Sequence, residues 1–73
     1  MAETNSPAKD RIIREFETMK SLELSASDLY ARIATDPSVE PQKVRNAFSN
    51  LARDERQHAD LVQEIIDIVT NAL

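Results

Sequence analysis

The sequence predicts an all-α fold, an antiparallel two-helix hairpin that dimerises into a four-helix bundle. Three observations predict it. The chain has no glycine and little aromatic content, while Ala, Leu, Ile, Glu and Arg are abundant, which favours helix over sheet. Apolar residues recur in alternating steps of four and three along two long stretches, the period of a helix that packs on other helices. One cluster of breakers separates those stretches, and it is short.

The first six residues show no periodicity and are expected to be disordered. Ser6 followed by Pro7 has the form of an N-cap with proline at the first helical position, so a helix is expected over about 7–34. Thr35, Asp36, Pro37 and Ser38 end it, because a residue before proline avoids the helical region and proline donates no hydrogen bond. Ser38 is the expected cap of the second helix, with Glu40 favourable to its dipole and Pro41 tolerated in its first turn. No breaker follows, and that helix is expected over about 39–72. Two long helices with a short link must lie antiparallel, giving one hairpin domain over 7–73.

At 73 residues the chain buries too little apolar surface to be secure without a disulfide, a metal or a partner subunit. It has no cysteine, which removes disulfides, thiolate metal sites and thiol chemistry. The absence of glycine removes phosphate-cradling loops. A formal net charge of −4, with basic residues scattered along the chain, argues against nucleic acid. The apolar runs are too short for a membrane span, and the N-terminus is not signal-like. A cytoplasmic protein stabilised by metal or self-association is the expectation.

The first seam runs through Ile12, Phe16, Met19, Glu23, Ala26, Tyr30 and Ile33. The second runs through Val44, Phe48, Leu51, Glu55, His58, Val62, Ile65, Val69 and Ala72. Folding the hairpin about its link keeps the residue numbers of facing positions at a nearly constant sum. That register pairs Ile33 with Val44, Ala26 with Leu51, Met19 with His58, Tyr30 with Phe48, and Glu23 with Glu55. No lysine or arginine occupies either seam. A carboxylate in such a place must neutralise or find a cation, and Glu55 and His58, three apart, share one helical face with Glu23 opposite. A two-fold pair of hairpins collects four carboxylates and two imidazoles, a di-metal constellation inside a four-helix bundle. Their four negative charges balance two divalent ions. Oxygen and imidazole donors suit iron or manganese, and zinc or copper also bind such a set.

The segments Glu23-Leu24-Ser25-Ala26-Ser27-Asp28-Leu29-Tyr30 and Leu51-Ala52-Arg53-Asp54-Glu55-Arg56-Gln57-His58-Ala59 carry a resemblance. Over roughly 16–66, motifs and spacing together, the chain resembles the ferritin-like superfamily, most closely one half of the rubrerythrin di-iron domain and the two-helix encapsulated ferritins. The resemblance implies that Glu23, Glu55 and His58 are iron ligands. It implies a ferroxidase that oxidises Fe(II) to Fe(III) for iron storage or detoxification, with two irons per homodimer and manganese or zinc as substitutes. Tyr30, seven residues beyond Glu23, matches a tyrosine that lies beside the metals in that family, as a hydrogen-bond donor or electron source. The chain stops where rubrerythrins and ferritins continue into a second helix pair, so the missing half is expected from another copy. A larger ring of dimers and an enclosing protein nanocompartment belong to the same expectation. No cysteine-based rubredoxin module and no shell-targeting tail is recognisable.

Each of these features also has a plainer reading. A lone Glu-x-x-His on a helix is weak, and a polar layer in a helical dimer can serve only to fix register. Peroxide reduction at the same site is the enzymatic alternative. Tyr30 also reads as a core aromatic, Asp54 and Asp28 as solvated neighbours of the site, and Leu24 as a residue off the seam that hints at higher assembly.

Overall fold

The structure, a computed structural model, describes residues 7–73. The expected disordered N-terminus and its Ser6 cap lie outside the described residues. Two helices, α1 (Pro7–Ala34) and α2 (Gln42–Ala72), make up the described chain, without strands. They lie side by side as an antiparallel hairpin 61 Å long and only 14 by 11 Å across. Pro7 opens α1, where its missing N–H costs nothing. Asp10 in the first turn and Arg32 in the last both suit the helix dipole.

The link between the helices differs from expectation at its far end. Asp36 Oδ1 accepts the Ser38 N–H at 2.9 Å and the Ser38 hydroxyl at 2.7 Å, which closes an Asx turn. Ser38 is therefore spent inside the link and does not cap α2. Pro41 takes the N-cap position, with extended backbone and no side-chain hydrogen bond, after a cis Glu40–Pro41 peptide. The Val44 N–H donates to the Pro41 carbonyl at 2.9 Å, and α2 starts at Gln42, later than the expected boundary. At the other end the Leu73 N–H closes α2 on the Val69 carbonyl at 3.0 Å, and Lys9 Nζ reaches the Leu73 carbonyl at 3.5 Å.

The face on which the two helices touch is also rotated by one row from the expected seams. Ile13, Lys20, Ser27 and Ala34 line it on α1, and Arg45, Ala52, Ala59 and Ile66 on α2; all are buried or half-buried. Phe16, Glu23 and Tyr30, with Phe48, Glu55, Val62 and Val69, form the neighbouring row, and they belong to both descriptions. The contact row is small in its middle, which lets the backbones approach closely. Ser27, buried, donates to the Ala52 carbonyl at 2.8 Å, and Ala59 is only 1% exposed. Lys20 Nζ bridges the helices by donating to Gln63 Oε1 at 2.6 Å.

Met19 of α1 and Leu51 and Ile65 of α2, members of the expected seams, face outward on one flank of the hairpin at 45%, 42% and 39% exposure, and Leu22, Leu29, Leu61 and Ile68 widen the exposed apolar surface beyond it. In an antiparallel pair the two rows beside the contact row fall on the same side of both helices. The hairpin thus has one apolar flank along most of its length and a polar opposite side. Leu24, which the sequence set apart as pointing away, is half-buried, whereas Leu22 is the exposed leucine of that stretch.

Candidate metal centre

Glu23 lies near the middle of α1, and Glu55 and His58 near the middle of α2, where helix ends cannot fray and backbone positions are fixed. The antiparallel register brings the three together. One ligand atom from each lies within 4.8 Å of the others. His58 Nδ1 is 3.6 Å from Glu55 Oε1 and 3.9 Å from Glu23 Oε1. These separations exceed a hydrogen bond and match donors arranged around a common point. No other group of three or more acidic, histidine or cysteine side chains converges in this way among the described residues.

Burial grades across the cluster. The Glu23 side chain is 18% exposed, Glu55 26% and His58 59%. Glu23 Oε2 is buried with no hydrogen-bond partner among the described residues. An ionised carboxylate oxygen in that position loses hydration and gains nothing in return, a cost of roughly 1–3 kcal/mol or more for a charged group. A cation bound between Glu23, Glu55 and His58 removes that cost. The donors are hard oxygens and one imidazole, which fits first-row divalent ions such as iron, manganese or zinc.

His58 sits on the apolar flank, among Leu61 and Ile65 one turn and two turns onward, and not on the contact face between the helices. A single hairpin therefore does not withdraw it from water. The flank side of the cluster is open, and no pocket forms around it among the described residues.

Tyr30 packs its ring on Phe48 with centroids 5.8 Å apart and planes inclined at 49°, the pairing expected from register. Its hydroxyl makes no hydrogen bond to Glu23 or to any other group among the described residues, so within one hairpin it acts as a core aromatic. Asp54 and Asp28 are exposed and stand outside the cluster. The residues that sequence reasoning missed are Lys20, Ser27, Ala52, Ala59 and Gln63, which hold the helices at the separation the cluster needs. Their heptad spacing was a usable signal, but a row of Lys, Ser and Ala does not register as apolar.

No helix among the described residues is long and apolar enough to cross a membrane. Comparison of the chain with protein-family models, curated proteins and solved structures finds no match.

Proposed function

We propose that the chain is a ferroxidase-type oxidoreductase whose site forms across a homodimer. Two Fe(II) ions enter as substrate, held by Glu23, Glu55 and His58 of both copies. Each ion gives one electron to dioxygen; with two protons the products are two Fe(III) and hydrogen peroxide. The single observation that carries this reading is the convergence of two carboxylates and an imidazole within 4.8 Å, with Glu23 Oε2 buried and unpaired. Carboxylates favour Fe(III) over Fe(II) because they are hard and anionic, so the donor set lowers the cost of oxidation. The likeness of the two motif segments to the ferritin-like superfamily supports the choice of iron. Tyr30, two helical turns from Glu23, is the nearest redox-active side chain in the sequence.

Neither one hairpin nor two can enclose a mineral, so the Fe(III) produced must pass to a larger assembly, a ring of dimers or a surrounding shell. The open apolar flank supports a second reading, a helical dimerisation module with no chemistry. The two separate on one experiment. Purified protein mixed with Fe(II) in air should bind two ions per pair and consume one dioxygen per two irons, faster than iron alone. If peroxide and not dioxygen is consumed, the site is a peroxide reductase; if no ion binds, the module reading stands.

A further inference from the structure

We infer that Gln63 is a positioning residue for the metal centre: it holds the Lys20 ammonium off Glu23, so that the acids stay open to a divalent cation. The inference rests on the proposed metal centre and deepens it, by naming what keeps that centre free of the chain's own positive charge.

Lys20 lies one turn before Glu23 on α1, a spacing at which side chains on a helix are neighbours. The register that pairs Glu23 with Glu55 sets Lys20 level with His58, and the lysine is half-buried in the contact row. A lysine so placed competes for the cation position, because its ammonium and a metal ion answer the same negative charge. Two acids on α1 lie three residues from it. Glu17 is exposed and keeps its hydration, whereas Glu23 Oε2 is buried with no hydrogen-bond partner among the described residues. Glu23 is therefore the acid that gains most from an ammonium.

The ammonium is nevertheless directed elsewhere. Lys20 Nζ donates to Gln63 Oε1 at 2.6 Å across the contact between the helices. Gln63 Nε2 in turn donates to Asp67 Oδ1 at 2.9 Å, one turn further along α2. An amide has one accepting and one donating end, and here a cation at one end and a carboxylate at the other fix which way it points. Asp67 thus answers the lysine through the amide, and Lys20 makes no ion pair with Glu23 among the described residues. Without the amide oxygen the half-buried ammonium needs another acceptor, since a charge withdrawn from water and left unpaired is costly. Pairing with Glu23 then fills the cation position from within the chain. A metal ion has to displace that pair, which weakens its binding by about fivefold, the upper end of what an ion pair at a protein surface is worth.

The test is a double-mutant cycle on the full chain with Mn(II), which binds in place of Fe(II) without being oxidised. Dissociation constants are read from the electron paramagnetic resonance of the free ion for the wild-type chain, Gln63→Met, Lys20→Met and the double variant. Methionine keeps the unbranched apolar stem at both positions, and circular dichroism checks helix content in each sample. Gln63→Met is expected to bind Mn(II) about fivefold more weakly, Lys20→Met to stay within about twofold of the wild-type chain, and the double variant to regain wild-type affinity. Should Gln63→Met lose helix content, Gln63→Ala removes the same acceptor and repeats the cycle. Wild-type affinity in the single Gln63 variant overturns the inference, the lysine then resting on Glu17 or water. A double variant as weak as the single Gln63 variant also overturns it and leaves Gln63 a packing residue. Equal tightening by Lys20→Met in both backgrounds overturns it too and leaves the lysine a distant charge. Binding of no Mn(II) by the wild-type chain overturns the metal centre itself.

Discussion

Glu23 is the residue on which the chemistry turns, because it is the least exposed member of the cluster and holds the unpaired oxygen. Replacing it with alanine removes one donor and also the buried charge. The expected outcome of Glu23→Ala is loss of both ions per pair by elemental analysis, with thermal stability of the metal-free protein unchanged or raised by about 1 kcal/mol. Loss of stability in the metal-free variant would show that the carboxylate is held by something other than a cation. At the other end of the scale, Asp36 is fully on the surface and its role is local. The Ser38 hydroxyl, and then the Ser38 N–H, hold its carboxyl below the ordinary aspartate range, with a smaller contribution from Arg45. A lowered folded-state value means that the turn stabilises the fold above the unfolded-state pKa and ceases to do so as pH falls through the folded-state value. Asp36→Ala should therefore lower the melting temperature at neutral pH, and the gap from the wild-type chain should close in acid; a pH-independent gap would contradict the assignment.

At the scale of the helices, the two elements and the convergence of Glu23, Glu55 and His58 were legible because both follow from periodicity and register. The helix α1 ends where Pro37 requires it to, and Tyr30 meets Phe48 as the number sums demand. The contact row was not legible. Apolar pattern finds the rows that bury large side chains, whereas this hairpin closes on Ser27, Ala52 and Ala59, whose value is their small size. The start of α2 was missed for a related reason: Ser38 has the chemistry of a cap, but it is tied to Asp36 within the link, and the helix begins only after Pro41, too far along the chain for Ser38 to reach its first N–H groups. Close approach of the backbones predicts intolerance of bulk. Ala59→Leu should overpack the contact and cost ~1–3 kcal/mol in urea unfolding, and it should weaken metal binding by pushing Glu23 away from His58. Ala59→Leu with unchanged stability would mean that the helices are not held at this spacing.

For the whole molecule, the question is what lies on the flank. The expected seams were read from sequence as the interior of a four-helix bundle of two hairpins, and in one hairpin they divide between a row inside the pair of helices and a row left open. In a four-helix bundle each helix has two neighbours and carries rows that face both, and the proposed homodimer would use the open row in that way. Ile65→Asp places a charge on the flank without touching Glu23, Glu55 or His58. It should hold the chain as a folded monomer by light scattering, with helix content kept, and a dimer of normal strength would move the interface elsewhere.

The most direct test of the central claim is an anomalous-scattering map from crystals of the protein grown with iron. The account predicts two peaks for each pair of chains, both at the junction of two hairpins and both within ~2.0–2.3 Å of Glu23, Glu55 and His58 donor atoms. A map with no peak there, or with His58 turned into bulk solvent in a chain that has no partner on its apolar flank, would contradict it.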